Sequence, residues 1–225
     1  MHVVAHDLRN PLNGIKGLAR VLQDEIGTSG TLKQGMEHIY RSSEHALDTI
    51  NDLLSLESAQ FTELITTEVD VNQLVQDVIL THSQHAQSKS IQIHFDSSGI
   101  LLANTDGDKL QRIIDNLVSN AVKFSPKNKE VFVVLQQVNG RFQLEVQDQG
   151  PGLTEEDQEK AFGKFQRLSA RPTAGESSTG LGLSIVRDLA KVLGGKIEVE
   201  SKPGEGAKFI LQLPRQAPNA SNEQV

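Results

Sequence analysis

Apolar and small residues at alternating steps of three and four constrain the first sixty residues of the chain more than any other feature. A Gly27-Thr28-Ser29-Gly30 segment, typical of a turn, divides them into two series. Alternating steps of three and four form the heptad pattern of helices that pack along a seam. The pattern predicts two helices joined by a short turn, with seam residues Ala5, Leu8, Leu12, Ile15, Ala19, Leu22 and Ile26, then Leu32, Met36, Ile39, Ser43, Ala46, Ile50 and Leu53.

A hairpin of two helices cannot enclose a hydrophobic core by itself. The simplest closure is a two-fold dimer, in which two hairpins form a four-helix bundle. The alternative is a hairpin that packs on the remainder of its own chain. The heptad pattern favours the homodimer.

From Phe61 onward the pattern changes to a mixture of strands and helices. Asn139-Gly140 separates two alternating runs and predicts a hairpin with a type I′ turn. Thr154 and Asp157 resemble a capping box. The order predicts an α+β sandwich, with helices on one face of a mainly antiparallel sheet. The predicted strands are 64–71, 91–95, 100–103, 131–138, 141–146, 196–201 and 207–213, and the predicted helices are 72–88, 106–124, 181–193 and one after Thr154.

The composition narrows the range of partners. With 22 Lys and Arg against 29 Asp and Glu, the net charge is −7, and the chain has no Trp, which argues against a nucleic-acid surface. No apolar run approaches the roughly 18 residues of a membrane span, so no direct membrane contact is expected. The absence of Cys excludes disulfides, thiolate metal sites and a cysteine nucleophile.

One predicted helix carries two amides and an ammonium group on a single face. Asn116 and Asn120 are four residues apart, and Lys123 lies beside Asn120. Such groups suit Mg²⁺ and phosphate oxygens, although a solvated helix face would have the same pattern.

A second motif, Asp148-Gln149-Gly150-Pro151-Gly152, closes a predicted strand. Its glycines permit a turn that brings backbone close to a ligand, and the Asp148 carboxylate can accept a hydrogen bond from an exocyclic amine such as adenine N6. An ordinary turn aspartate is the alternative.

A third motif, Gly180-Leu181-Gly182-Leu183, begins a predicted helix. Glycines there let backbone N–H groups approach an anion, whose charge the helix dipole favours. Taken alone, the motif could equally be an ordinary glycine turn.

In this order the three motifs resemble the N, G1 and G2 boxes of the ATPase superfamily of gyrase, heat-shock chaperones, mismatch-repair proteins and sensor histidine kinases. Phe162-Gly163-Lys164-Phe165-Gln166-Arg167 resembles the F box, and Gly204-Glu205-Gly206 resembles the last glycine box. Ser178 replaces the first Gly of many G2 boxes, and Ala207 stands where Ser or Thr is common. Neither departure is expected to abolish nucleotide binding.

The segment from Ala5 to Leu12, with the sequence AHDLRNPL, resembles the H box of sensor histidine kinases. His6 lies just off the predicted seam and is expected to face water. Asp7 can orient the Nδ1 proton of the imidazole and raise its nucleophilicity. Asn10 shares the face of His6, and Pro11 is expected to kink the helix.

The resemblance implies the transmitter core of a sensor histidine kinase. Residues 1–60 would be the dimerisation and histidine phosphotransfer domain, 61–214 the catalytic ATP-binding domain, and 215–225 a disordered tail. His6 would take the γ-phosphoryl group of ATP and pass it to an Asp of a response regulator receiver domain. Asn10 matches the position that orients the hydrolytic water when such kinases dephosphorylate their regulators.

The resemblance also implies roles for individual residues. Asp7 would act as the base and Arg167 would approach the γ-phosphate, while Asn120 would coordinate Mg²⁺. The implied nucleotide-binding residues are Asn116, Asn120, Lys123, Phe124, Asp148, Gly150, Gly152, Phe165, Thr179, Gly180, Leu181, Gly182 and Leu183.

Two other functions stay open from the sequence. A nucleotide-gated clamp or mismatch-repair-type ATPase would explain the sandwich but not the H box. A degenerate kinase serving as a dimeric scaffold is disfavoured because Asn120, Asp148, Gly180 and Gly182 are all present. The resemblance implies that this part of the protein acts in the cytoplasm of a bacterium. Because the seam begins so close to Met1, the first helix looks truncated, and we expect an upstream sensory region in a parent chain that could be membrane-anchored.

Overall fold

The computed structural model describes residues 12–20, 22, 35–36, 39–40, 42–43, 46–47, 50, 63–166, 168–173 and 180–218. The chain divides into two compact units, of which the first contains the described residues up to 50 and the second those from 63 onward. No described helix is both long enough and apolar enough to cross a membrane.

Every described residue of the first unit is helical, as the heptad pattern predicts. Ala19, Met36 and Ser43 are buried seam residues, whereas Ile15 and Ile39 remain 44% and 49% exposed. Leu12, Ile15, Ile39, Ser42 and Ser43 line a cavity of about 290 Å³. Seam side chains are therefore still partly uncovered in the single chain. The predicted turn at residues 27–30 lies outside the described residues.

The strands of the second unit are β1 (Thr67–Asp70), β2 (Gln92–Ser97), β3 (Leu102–Thr105), β4 (Glu130–Val138), β5 (Arg141–Gln147), β6 (Lys196–Ser201) and β7 (Ala207–Pro214). Five of them form a sheet with the order β2-β4-β5-β7-β6. The β2–β4 pair is parallel and the other pairs are antiparallel. Asn139 and Gly140 both have positive φ, 50° and 76°, as the predicted type I′ hairpin requires.

The described part of the second unit also contains four helices: α1 (Val71–Ser88), α2 (Gly107–Phe124), the short α3 (Glu155–Lys160) and α4 (Gly182–Val192). Asp70, Asp106 and Thr154 cap α1, α2 and α3 by accepting backbone N–H bonds. The capping box is confirmed at α3, where Thr154 Oγ1 accepts a bond from the N–H of Asp157 and donates one to its carboxylate.

The core of this unit lies between the helices and one face of the sheet. Buried and partly exposed residues alternate along β4 and β5, as expected for strands covered on one side. The largest fully buried side chains include Leu110, Ile113, Ile114 and Leu117 of α2, Leu135 of β4, Phe142 and Leu144 of β5, Ile185 of α4, and Leu211 and Leu213 of β7.

The predicted disordered tail is wrong for its first residues. The N–H of Asn104 in β3 donates to the carbonyl of Arg215 at 2.8 Å, and the N–H of Ala217 donates to the carbonyl of Asn104 at 2.9 Å. These backbone bonds add the segment to the two-stranded sheet of β1 and β3, and the Arg215 Nε also donates to the Leu102 carbonyl at 3.1 Å. Residues 219–225 lie outside the described residues.

Candidate functional site

Asp148 follows β5 and is only 5% exposed. Its Oδ1 accepts hydrogen bonds from the N–H groups of Gly150 at 2.8 Å and Ala207 at 3.2 Å. Burial raises the pKa of this carboxyl group to about 6, although the two backbone bonds act in the opposite direction. Within the described part of the chain, both bonds end on Oδ1. The turn therefore orients the group and leaves Oδ2 as an acceptor for a ligand.

Glycines let three backbone segments meet around Asp148. A Cβ added to Gly206, which has a φ of +79°, would lie 2.0 Å from the carbonyl oxygen of Asp148. A Cβ on Gly152 would lie 2.0 Å from the carbonyl oxygen of Lys202. At Gly150 it would lie 2.8 Å from both the Asp148 Oδ1 and the Phe124 carbonyl. The predicted G1 turn thus packs against the last glycine box and against the end of α2.

The predicted amide and ammonium groups lie along α2. Asn116, Asn120, Lys123 and Phe124 are all partly exposed, whereas the intervening Leu117 and Ala121 are buried. The Asn116 side chain donates to the Arg112 carbonyl at 2.8 Å. Asn116, Asn120 and Lys123 therefore share one face of α2, as the spacing predicts, and Phe124 is the last residue of the helix.

Sequence reasoning missed two residues that hold the last turn of α2. Lys89 is 2% exposed, and its Nζ donates to the carbonyls of Val122 at 2.7 Å and Lys123 at 3.0 Å. Thr173 donates its N–H to the Lys123 carbonyl at 3.1 Å and its hydroxyl to the Ser125 carbonyl at 2.7 Å. A Lys in a Ser-Lys-Ser turn has the sequence pattern of a solvated loop, so no local signal reveals these contacts.

The glycine motif at the start of α4 meets α2. A Cβ added to Gly182 would lie 2.7 Å from the Asn116 Oδ1. Gly180 has a φ of +71° and packs against the backbone of Gln166. Leu181 is buried and Leu183 is partly exposed. Among the described residues, no side chain caps α4 at its N-cap residue Leu181, and the positive end of the helix dipole favours an anion at this position.

Phe165 is presented differently from the other predicted nucleotide contacts. Its side chain is 66% exposed and its backbone has a φ of +57°. Lys164 Nζ lies 3.5 Å from Asp188 Oδ2 on α4. Nothing in this geometry tests the predicted nucleotide contact of Phe165.

Another group that sequence reasoning missed is the carboxylate of Asp157. It accepts hydrogen bonds from the N–H of Ser169 at 3.0 Å, the Ser169 hydroxyl and the Thr154 hydroxyl at 3.0 Å. The hydrogen bond from the Ser169 hydroxyl is the main reason that the pKa of Asp157 lies below its ordinary value, and the bond from the Ser169 N–H acts in the same direction. The capping box indicated only the bond with Thr154.

The remaining predicted residues, His6, Asp7, Asn10, Arg167 and Thr179, lie outside the described residues. Their roles stay predictions. Among the residues that are described, no group of three or more His, Cys, Asp or Glu side chains could hold a metal ion.

Two family models match the chain, one on each part. Residues 105–217 match the histidine kinase-, DNA gyrase B-, and HSP90-like ATPases, and the chain belongs to that family. Residues 1–62 match the His Kinase A (phospho-acceptor) domain. The two matches together make the chain a sensor histidine kinase transmitter core, as the sequence motifs predict.

Curated relatives include sensor kinases from several bacteria. The sensor-like histidine kinase SenX3 of Mycolicibacterium smegmatis is 30% identical over 94% of this chain and 56% of its own length. The sensor histidine kinase TmoS of Ectopseudomonas mendocina is 34% identical over 97% of this chain and 23% of its own length. The chain thus spans about half of SenX3, 56%, and a smaller part of TmoS.

Solved structures show the same architecture. Full-length ShkA in complex with AMPPNP has a TM-score of 0.75 and 29% identity, over 97% of this chain and 46% of ShkA. The histidine kinase ThkA in complex with the response regulator protein TrrA has a TM-score of 0.68 and 25% identity, over 95% of this chain and 60% of that chain. The predicted fold class is confirmed: a helical amino-terminal region followed by an α/β sandwich.

Proposed function

We propose that this chain uses ATP to phosphorylate His6 and passes the phosphoryl group to an Asp of a response regulator receiver domain. The observation that carries this proposal is the pairing of a phosphoacceptor domain match with an ATPase domain match on one chain. A clamp or mismatch-repair-type ATPase would leave the first match unexplained. The function implies the cytoplasm of a bacterium, where ATP and response regulators are present.

Asp148 is the proposed adenine-recognition group. Its Oδ1 is engaged by the N–H groups of Gly150 and Ala207, which fixes the direction of Oδ2. An acceptor held in a buried site discriminates strongly between a base that offers an amine and one that does not. That ShkA was solved with AMPPNP supports an adenine nucleotide as the ligand here.

The phosphate groups are assigned to the space between α2 and the start of α4. Asn120 would hold Mg²⁺, which would supply positive charge against the phosphate groups when bound. Asn116 and Lys123 would contact phosphate, with backbone donors from Gly180 and Gly182. The positive end of the α4 dipole, beside the backbone of Gly180 and Gly182, supports an anion at this position. The further contacts that we propose for the nucleotide are Phe124, Gly150, Gly152, Phe165, Thr179, Leu181 and Leu183.

His6 is the proposed nucleophile. One imidazole nitrogen would attack the γ-phosphorus, Asp7 would orient the ring and accept its proton, and the bond to ADP would break. Arg167 would neutralise charge on the transferring group. Such transfer depends mainly on positioning and charge, so these residues must be assembled when ATP is bound.

Labelling with γ-³²P-ATP tests this function. We expect an acid-labile, base-stable label on the wild-type chain and none on His6→Gln, while both bind AMPPNP equally. An ATPase of the clamp type would instead release labelled phosphate, and a scaffold would do neither; either result contradicts the proposal.

The reverse reaction is assigned to Asn10, which would orient the water that hydrolyses the phosphorylated regulator. We expect Asn10→Ala to slow dephosphorylation of a phosphorylated receiver domain while autophosphorylation continues. Equal loss of both activities would contradict this role.

The homodimer is the remaining part of the proposal. It is supported by the partly exposed seam residues Ile15 and Ile39. The likeness to ThkA, which was solved with its response regulator, supports a receiver domain as the second partner.

A further inference from the structure

One carboxylate joins the start of α3 to a residue twelve positions further along the chain. Asp157 is 8% exposed, although most of the chain around it is on the surface. Thr154 donates to its Oδ2 at 3.0 Å, within the capping box. Ser169 donates its N–H to Oδ1 at 3.0 Å and its hydroxyl to Oδ2. The Asp157–Ser169 contact, here named the clasp, closes a loop that contains the whole F box.

The described part of this loop, after α3 ends at Lys160, has neither helix nor strand to fix it. Its backbone conformation therefore depends on individual contacts. Gly163 donates its N–H to the Lys160 carbonyl at 2.8 Å, and Lys164 reaches Asp188 of α4. A Cβ on Gly180 would lie 2.7 Å from the carbonyl oxygen of Gln166, so the first glycine of the α4 motif rests directly on the loop.

The backbone of Phe165 shows that these contacts impose a definite conformation. An aromatic residue with a φ of +57° is uncommon, because its Cβ is crowded there. Such a conformation is strained and persists only where the surroundings determine it. The Phe165 side chain is 66% exposed, so burial of the ring does not hold this backbone conformation. The contacts that fix the rest of the loop must therefore hold it.

We propose that the clasp makes Asp157 and Ser169 positioning residues for phosphoryl transfer, by holding the F-box loop in register with α4. This inference rests on the proposed function, in which Arg167 approaches the γ-phosphate. Arg167 lies outside the described residues, but its neighbours Gln166 and Leu168 are described and lie inside the loop that the clasp closes. Displacing a catalytic group by about 1 Å can cost on the order of a hundredfold in rate.

The same carboxylate offers a matched control. Ser169→Ala and Thr154→Ala each remove one hydroxyl that donates to Asp157 Oδ2. Only the first weakens the clasp, which then keeps just the bond from the Ser169 N–H, whereas the second removes the N-cap of α3 and lowers its stability. A merely structural role of Asp157 predicts that Thr154→Ala is at least as harmful as Ser169→Ala. A positioning role predicts the opposite for catalysis.

The test uses the full chain and measures initial rates of γ-³²P labelling over a range of ATP concentrations, with AMPPNP affinity measured by calorimetry. For Ser169→Ala we expect kcat to fall on the order of tenfold, with the Kd for AMPPNP changed by less than about threefold. Thr154→Ala should keep kcat within about threefold of wild type while its melting temperature falls. Ser169→Thr, which retains the hydroxyl, should recover most of the rate.

Three results would overturn the clasp. These are an unchanged kcat in Ser169→Ala, an equal loss of kcat in Thr154→Ala, and a loss in Ser169→Ala that appears only as weaker AMPPNP binding. A wild-type chain that takes no label would overturn the proposed function and the clasp with it. A labelled wild type with an unaffected Ser169→Ala would overturn the clasp alone.

Discussion

At the scale of single residues, Asp148 is a carboxyl group that the fold keeps buried although its ionised form lowers the stability of the protein. Water is almost excluded from this carboxyl group, and its pKa is raised to about 6. A raised pKa in the folded state means that the proton binds more tightly there than in the unfolded chain. The resulting stabilisation is complete below about pH 4 and is lost as the pH rises through about 6. At neutral pH a neutral group would be more favourable, so we attribute the acid to ligand recognition.

We therefore expect Asp148→Asn to raise the free energy of unfolding at pH 8 by up to about 3 kcal/mol, since each pKa unit corresponds to about 1.4 kcal/mol. The asparagine oxygen can still accept the bonds from Gly150 and Ala207. The difference from wild type should shrink towards zero near pH 4, as followed by urea denaturation across this range. A difference independent of pH would contradict the burial argument, and undiminished ATP binding would contradict the adenine role.

At the scale of elements, the glycines around the β6–β7 turn have separate tasks. Gly204 and Gly206 both have positive φ, 85° and 79°. A Cβ on Gly204 would meet no atom within 4 Å, whereas a Cβ on Gly206 would strike the Asp148 carbonyl. Gly204 therefore serves the turn alone, and Gly206 also allows the turn to approach the end of β5.

Alanine substitutions separate these tasks. We expect Gly204→Ala to cost about 1 kcal/mol of unfolding free energy, which is the cost of a left-handed conformation. Gly206→Ala should cost several times more, because backbone must move, and it should weaken ATP binding through displacement of Asp148. Denaturant unfolding and calorimetry measure the two effects. Equal costs at both positions would contradict the close approach.

The last turn of α2 depends on a buried ammonium group that comes from the turn after α1. Lys89→Met keeps most of the apolar side chain but removes the donor to the Val122 and Lys123 carbonyls. We expect it to lower the free energy of unfolding by about 1–3 kcal/mol. Lys127→Met, at an exposed position in the turn after α2, is the control and should have little effect. A loss of less than about 0.5 kcal/mol of unfolding free energy in Lys89→Met would show that the two Lys89 hydrogen bonds do not stabilise the end of α2.

At the scale of the whole molecule, the first unit presents apolar side chains that a monomer would leave in water. Ile15 is 44% exposed and Ile39 is 49% exposed, and both line the same cavity. An amphipathic hairpin gains stability when a second copy covers such residues. The proposed dimer places these side chains in the bundle.

Ile15→Lys tests the dimer, because it would put a charge into the proposed seam. We expect the variant to sediment as a monomer at micromolar concentration, where the wild type sediments as a dimer. Leu80→Lys is the control, since Leu80 is 72% exposed on α1 of the second unit. If both variants sediment like the wild type, Ile15 does not lie in an interface.

Local sequence patterns were sufficient for much of this molecule. The helical first unit follows from heptad spacing, the β4–β5 hairpin from Asn139-Gly140, and the start of α3 from Thr154 and Asp157. The motifs also identified the family and placed Asp148, Gly152 and Gly206 where backbone segments of the second unit approach closely. Each of these patterns acts within a few residues, where steric limits and side-chain spacing leave few choices.

Tertiary structure alone decided the contacts that hold these motifs together. Lys89 meets carbonyls 33 and 34 residues away, Ser169 closes on Asp157, and Arg215 joins β3 through its backbone carbonyl. In each case at least one partner is a backbone group, or a polar side chain whose type is common in loops. Backbone groups are the same at every position, so no residue pattern can reveal which of them will meet. Packing of the helices on the sheet brings them within hydrogen-bonding distance.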